Sequence, residues 1–166
     1  MKFAGVSFIV LSACSEGFQM AAMLRKKCNL LSRFLAALQL LKNEITVCGT
    51  PLPQAFALMA AANDGVLERL FDVAAKEMDK NRWTKPYDAV SRALETIQEP
   101  LIGDVLLPLA KSLGKYDLDA QVQGIETARL QAEQLLRETE QERKIKSGTY
   151  QTLGVCTGLA VAILLI

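Results

Sequence analysis

The chain contains no histidine among its 166 residues. It therefore lacks the side chain that most often acts as acid, base or metal ligand near neutral pH, and no Ser-His-Asp or Cys-His arrangement can be assembled. The phosphate-binding Walker A pattern is also missing, because Gly114-Lys115 is followed by Tyr116 and no glycine lies five residues before Gly114. These absences argue against an enzyme and against a bound cofactor, metal or small-molecule substrate.

Cysteine is scarce, and charge of either sign is not in excess. The four cysteines, Cys14, Cys28, Cys48 and Cys156, share no CxxC spacing, so they indicate reduced thiols rather than a disulfide framework or a zinc site. The 19 lysines and arginines nearly balance the 18 acidic residues. No basic patch therefore indicates a nucleic-acid partner.

Long apolar runs are present at both ends of the chain. Segment 147–166 has no charged side chain and directly follows the basic run Arg143-Lys144-x-Lys146. A helix of about 20 residues spans the roughly 30 Å hydrocarbon layer, so this segment is predicted to be a transmembrane helix in contact with membrane lipid.

Small residues recur every four positions in this C-terminal segment. Gly154, Gly158 and Ala162 lie on one face of the predicted helix, where they allow another helix backbone to approach closely in lipid. The spacing predicts a packing face, and the N-terminal segment is the nearest candidate partner.

The N-terminal apolar stretch runs from Phe3 to Leu24 and is followed by Arg25-Lys26-Lys27. Its uninterrupted apolar part ends at Cys14, which is short for a membrane span, and Glu16 would be costly near the bilayer centre. We expect segment 1–24 to be an N-terminal transmembrane segment whose Glu16 lies near the cytoplasmic end or faces another helix.

Basic residues set the expected topology. Lys2 alone among the lysines and arginines lies outside 25–146, so the positive-inside rule places a domain of residues 25–146 in the cytoplasm. An alternative stays open, because Lys2, the apolar run and Leu11-Ser12-Ala13-Cys14 resemble a bacterial lipoprotein signal. Cleavage there would export the central domain, against the orientation rule.

Helical periodicity dominates the central domain, and no segment shows sustained strand alternation. One apolar stripe predicts a helix that continues from the first anchor to residue 47, through Leu24, Cys28, Leu31, Leu35, Leu38, Leu41 and Ile45. Gly49 suits a left-handed cap, and Pro51 and Pro53 can open a second helix over Pro53 to Ala62. The expected fold is all-α, a membrane-anchored helical bundle of about six helices.

Turn and capping residues divide the remainder into four helices. The third starts after Asn63-Asp64-Gly65 and ends near Asn81, and Thr84 is expected to cap the fourth. The fifth is expected over Asp104 to Leu113, with Pro108 in its first turn or at a kink. The predicted terminal caps are Gly114 after the fifth helix and Asp117 before the sixth, whose apolar face carries Leu118, Val122, Ile125, Ala128, Ala132 and Leu135.

Two motifs resemble those of a known family. The first is Glu44-Ile45-x-x-x-Gly49-Thr50-Pro51-Leu52-Pro53-x-Ala55, and the second is Leu113-Gly114-x-x-Asp117-x-x-x-Gln121-x-x-x-Ile125. Together with a terminal anchor at each end, they resemble the stage III sporulation protein AB family of endospore-forming bacteria over the whole chain. The first turn is also similar to one in the platform protein of type II secretion and type IV pilus systems.

The resemblance implies a function that spacing alone does not. Members of the family are structural components of the transenvelope complex between mother cell and forespore, beside a companion secretion-type ATPase. They are needed after engulfment for late forespore gene expression. The resemblance thus implies an inner-membrane platform in the mother-cell membrane around the forespore, which docks the ATPase and other membrane proteins through a cytoplasmic domain like that of type II secretion platforms.

The motif residues themselves are expected to be mainly structural. For ATPase docking the candidates are Lys80, Arg82 and Lys85, which offer positive charge to an acidic partner. The main alternative function is a platform of a general type II secretion or type IV pilus system, although such platforms usually carry two copies of the domain and a third anchor.

Overall fold

The computed structural model describes the backbone of residues 2–80, 84–114 and 117–165, and the side chains of 22–80, 84–114 and 117–145. The described residues form six α-helices and no strand. The helices are α1 (Lys2–Asn43), α2 (Leu52–Ala61), α3 (Gly65–Lys80), α4 (Pro86–Ile97), α5 (Pro100–Leu113) and α6 (Leu118–Leu165). The predicted all-helical fold with about six helices is confirmed.

The first helix ends in a change of helical type. α1 passes directly into a π turn over Glu44–Cys48, which the sequence stripe predicted as ordinary α-helix. The stripe itself is confirmed, since most of its members are buried and Leu35 is part-buried. Phe34 and Ala37 are also buried, so the apolar face of α1 is wider than the stripe suggested.

Helices α2 and α3 follow one another through short turns. α2 begins at Leu52, one residue before its predicted start, with Pro53 in its first turn where the missing N–H costs nothing. α3 starts at Gly65, whose φ is +66°. Asp64 lies in the turn between α2 and α3. Arg33 of α1 forms an ion pair with its carboxylate and also donates to its backbone carbonyl at 3.0 Å.

The expected cap of the fourth helix is wrong. α4 starts at Pro86 with Lys85 in the N-cap position, and Lys85 makes no side-chain capping hydrogen bond. Thr84 is therefore one residue too early, because Pro86 itself supplies the helical φ of the first position. The helix ends at Gln98, a non-glycine residue with φ +53° whose N–H donates to the Leu94 carbonyl at 2.8 Å.

The fifth helix is longer than predicted. It begins at Pro100, so Pro108 lies inside it rather than in its first turn. A proline there has no N–H for the carbonyl of Asp104, four residues earlier. Both residues are exposed, so water can take the place of the lost donor. The early start follows from Pro100, another proline that opens a helix.

Contacts divide the chain into two compact units. One contains Met1–Asn29 and Leu136–Ile166, and the other is Leu30–Leu135. Among the residues whose side chains are described, none of the helices contains an apolar stretch of the length that a membrane span needs. The predicted membrane segments consist mainly of residues whose side chains lie outside the described part. Their assignment, and the boundaries at 24 and 146, stay predictions.

The unit formed by Leu30–Leu135 has one continuous apolar core. Phe34, Phe56 and Phe71 are among its fully buried side chains, and the rings of Phe56 and Phe71 meet edge to face with centroids 5.9 Å apart. Ile125, Ala128 and Ala132 of α6 complete the core. Leu118 is an exception to the predicted face, because it is exposed in the first turn of α6.

Candidate functional site

The first motif closes the turn after α1 around Glu44. The Glu44 carbonyl accepts hydrogen bonds from the N–H of Gly49 and from the N–H of Thr50, the latter at 2.9 Å. The Thr50 hydroxyl donates to the Glu44 carboxylate at 2.6 Å. Gly49 has φ +63° and ψ +26°, which confirms its predicted left-handed cap. Glu44 and Thr50 of the motif therefore stabilise this turn together, through one hydrogen bond between their side chains and one from the Thr50 N–H to the Glu44 carbonyl.

The rest of this motif starts α2. Pro51 lies in the N-cap position, and its carbonyl accepts from the N–H of Gln54 and of Ala55 at 3.0 and 2.9 Å. Leu52 is part-buried against the core, next to the fully buried Ala55. Pro51 and Leu52 thus direct the chain from the turn into the core, which is a structural task.

The second motif joins α5 to α6. Leu113 is buried, and Gly114 takes the C-cap position of α5 with φ −79°, so its conformation is not left-handed. The Asp117 carboxylate accepts from the Asp119 N–H at 3.1 Å, which confirms Asp117 as a cap of α6. The carbonyl of Asp117 also accepts from the N–H of Gln121 at 3.2 Å.

A chain of ion pairs links α1 to α6 inside the central unit. Lys42 of α1 donates to Glu126 of α6 at 2.5 Å, and Arg129 contacts Glu126 at 2.8 Å and also Glu133. The side chains of Lys42 and Glu126 are each about one-third exposed. Hydrogen bonds from Lys42 and then Arg129 lower the pKa of Glu126 from its ordinary value, and Glu126 in turn raises the pKa of Arg129.

The three candidate docking residues do not offer equal charge. Lys80 donates to Glu77 at 2.6 Å, and Glu77 also accepts from Arg92 at 3.0 Å. These two donors, Lys80 first, lower the pKa of Glu77. Arg82 lies outside the described residues, and Lys85 is exposed at the start of α4. Part of the charge of Lys80 is therefore already neutralised within the chain.

The predicted packing face of the C-terminal segment lies where only the backbone is described. Positions 154, 158 and 162 belong to α6, but only their backbone is described, so a packing face formed by Gly154, Gly158 and Ala162 stays a prediction. Among the residues that were described, no group of three or more His, Cys, Asp or Glu side chains could hold a metal ion.

Sequence reasoning missed a close contact between α5 and α6. A Cβ atom added at Gly124 would lie 1.9 Å from the Ser112 Oγ and 2.6 Å from the Ser112 Cβ. Gly124, Ala128 and Ala132 recur every four residues, the same pattern that predicted helix packing in the C-terminal segment. That spacing was the available signal, and at Gly124 the missing side chain leaves room for Ser112 of α5.

Comparison with known proteins agrees with this architecture. The fold is an all-helical bundle whose two distinctive motifs are turns rather than a reaction centre. Residues 2–166 match the family described as stage III sporulation protein AB. The chain belongs to that family, which is one of sporulation proteins, and the resemblance drawn from the two motifs is confirmed.

Two relatives define the similarity further. Stage III sporulation protein AB of Bacillus subtilis (strain 168) is 26% identical over 171 residues, and the alignment covers 99% of each chain. A solved structure of stage III sporulation protein AB (SpoIIIAB) superposes with a TM-score of 0.64 at 24% identity, covering 70% of this chain and 94% of that one. The structural likeness supports the helical fold.

Proposed function

We propose that this chain is a structural component of the mother cell–forespore transenvelope complex, where it acts as a membrane-anchored platform for a companion secretion-type ATPase. Membership of the sporulation family carries the proposal, because the match over residues 2–166 includes both apolar segments as well as the central domain. It also favours this function over a platform of a general type II secretion or type IV pilus system.

Membrane attachment at both ends is part of the proposal. The apolar segments 1–24 and 147–166 cross the mother-cell membrane around the forespore, and the basic clusters that adjoin them hold the central domain in the cytoplasm. α1 and α6 continue as helices from the central unit into these segments.

The platform works by binding and has no catalytic step of its own. Within the central unit, the Lys42–Glu126 ion pair connects the two helices that lead to the proposed anchors. A partner that displaces one of these helices therefore also exerts a force on the other. The charged groups described on α3 and α4 are partly paired internally, as at Glu77. Docking at Lys80, Arg82 and Lys85 would therefore have to compete with Glu77 for Lys80.

Binding of the ATPase to the full-length chain in lipid nanodiscs tests the platform. We expect the purified ATPase to be retained, and a Lys80→Glu/Arg82→Glu/Lys85→Glu variant to retain less. A matched variant, Arg69→Glu/Lys76→Glu/Lys111→Glu, makes the same change of charge elsewhere on the described helices and should retain the ATPase normally.

The outcomes separate two levels of the proposal. If both variants retain the ATPase equally, the docking face is wrong and the platform stands. If the unmodified chain in nanodiscs does not bind the ATPase at all, the platform mechanism is wrong.

A further inference from the structure

Five basic side chains close to the apolar segments differ from most of the described basic residues of the central unit. Within the described residues, no ion pair involves Arg25, Lys26, Lys27, Arg143 or Lys144. All are exposed except Arg143, which is part-buried. Many basic residues of the central unit do have carboxylate partners, namely Arg33, Lys42, Lys76, Lys80, Arg92 and Arg129.

These five residues lie in the same compact unit, which contains Met1–Asn29 and Leu136–Ile166. On α1, the side chains of Leu24 and Cys28 are buried, while the three basic residues between them point to solvent. The charged side chains therefore cover the solvent side of a helix whose other side is packed, and they are available to an external ligand.

The order of charges along each helix indicates what that ligand is. On α6 the acidic residues Glu138, Glu140 and Glu142 come first, then the basic Arg143 and Lys144, and then the apolar segment. On α1 the apolar segment is followed at once by three basic residues, with no acidic residue before the π turn. Positive charge is thus concentrated at the boundary with the apolar segments, where an anionic surface would meet it.

We infer that Arg25, Lys26, Lys27, Arg143 and Lys144 form a basic collar that binds the headgroups of anionic phospholipids. The inference rests on the membrane anchoring in the proposed function, which puts both halves of the collar at headgroup level. The ligand is a lipid headgroup whose phosphate gives it a net negative charge, as in phosphatidylglycerol. The phosphatidylcholine headgroup also contains a phosphate, but it is zwitterionic and has no net charge, so the collar should not prefer it. The collar thereby selects the lipids around the anchors and does more than orient the chain during insertion.

The energetic basis is that none of the five forms an ion pair with a carboxylate among the described residues. A basic residue already paired within the protein would have to break its ion pair to reach a phosphate, whereas these five do not. Each such residue near an anionic surface attracts it over a distance comparable to the Debye length, about 8–10 Å at ordinary ionic strength. We therefore expect several anionic lipids to be enriched around the anchors. Their association constant should be several-fold higher than that of phosphatidylcholine.

Spin-labelled lipids test the collar on the full-length chain. The protein is reconstituted in phosphatidylcholine vesicles, and electron spin resonance measures its association with spin-labelled phosphatidylglycerol and phosphatidylcholine at trace amounts. We expect phosphatidylglycerol to be preferred at low salt, and about 1 M sodium chloride, where the Debye length is near 3 Å, to remove the preference.

Two variants with equal charge change locate the effect. The collar variant replaces all five residues with Gln, and we expect it to lose the preference. The control variant replaces the same number of cations on the described helices of the central unit, at Arg69→Gln, Lys76→Gln, Lys80→Gln, Lys85→Gln and Lys111→Gln, and we expect it to keep the preference. A preference that persists in the collar variant overturns the inference.

The remaining outcomes distinguish this inference from the function on which it rests. If the chain does not incorporate into vesicles at all, the proposed membrane anchoring is wrong. If it incorporates but associates equally with both lipids, anchoring stands and the collar is wrong. If inorganic phosphate abolishes the preference where chloride of equal ionic strength does not, the residues form a site for the free ion and the lipid assignment is wrong.

Discussion

At the scale of single residues, two glycines have different physical reasons to be glycine. Gly49 adopts a left-handed backbone conformation, and there is open space where a Cβ would lie. Glycine is therefore favoured at this position by the backbone conformation and not by a lack of room. Gly124 lies within α6, and it is the nearby side chain of Ser112 that leaves no room for a Cβ. The two sites should therefore respond differently to the same kind of substitution.

We predict that Gly49→Val lowers the free energy of unfolding by about 1 kcal/mol or more, because a β-branched residue is disfavoured in the left-handed region. Gly49→Asn is the control, since Asn tolerates that region and there is space for its side chain. Urea unfolding of the protein in detergent, followed by helical circular dichroism, measures both. Equal stability of the two variants would show that the turn does not require the left-handed conformation.

Substitution at Gly124 should be limited by packing. Alanine inside a helix normally gains about 0.5–1 kcal/mol over glycine. At Gly124 its Cβ would lie 2.6 Å from the Ser112 Cβ, which cannot rotate away, so we predict a net loss of about 1–3 kcal/mol. Gly103→Ala is the matched control in α5, because its Cβ would lie 3.6 Å from Leu94, an ordinary contact.

A second substitution tests the mechanism at this contact. Ser112→Ala keeps the obstructing Cβ and should not rescue Gly124→Ala, whereas Ser112→Gly removes it and should rescue part of the loss. The readout is the midpoint of unfolding in urea. Rescue by Ser112→Ala would instead assign the conflict to the Oγ atom.

At the scale of elements, the Lys42–Glu126 ion pair adds a polar contact between α1 and α6 to the apolar core that they share in the central unit. The hydrogen bonds of Lys42 and Arg129 favour the charged form of Glu126 in the folded state and lower its pKa. Glu126 therefore contributes stability that is fully present above its unfolded pKa of about 4.3 and is lost as pH falls through the lower folded pKa.

We predict that Glu126→Gln removes part of the acid sensitivity of folding. As pH falls below about 4.3, the urea midpoint of the unmodified chain should fall more than that of the variant, because the variant has no carboxylate to protonate. Glu68→Gln is the control, since Glu68 is exposed on α3 and no ion pair in the described residues involves it. An acid response unchanged by Glu126→Gln would contradict the assigned role.

At the scale of the whole molecule, the reactivity of the native cysteines reports on which side of the membrane the central domain lies. Cys48 is exposed at the end of the π turn, whereas Cys28 is buried in the unit that contains Met1–Asn29. The two thiols thus report on the same predicted compartment with different accessibility.

We predict that a membrane-impermeant maleimide leaves both thiols unlabelled in intact cells that express the chain. After permeabilisation Cys48 should react promptly and Cys28 slowly, because only the first is exposed. A Cys48→Ser variant should lose the prompt reaction. Labelling of Cys48 in intact cells would favour the lipoprotein alternative, and palmitate incorporation at Cys14 would establish it.

The described structure shows which features the sequence determined by itself and which depended on tertiary contacts. Helical periodicity was sufficient to predict six helices, and the caps at Gly49 and Asp117 followed from backbone preferences that act locally. The family could likewise be predicted from the two turn motifs. Their residues interact with near neighbours in the chain, as Glu44 does with Thr50, so each motif is a short continuous pattern in the sequence.

Only the tertiary structure decided the contacts between distant parts of the chain. The Lys42–Glu126 pair joins residues 84 positions apart, and nothing in the local pattern of either helix selects that partner. The tight approach of Gly124 to Ser112 likewise depends on how α5 packs against α6. Periodicity specifies which face of a helix is buried, but the partner of each residue depends on the relative position of whole helices, which the packed core determines.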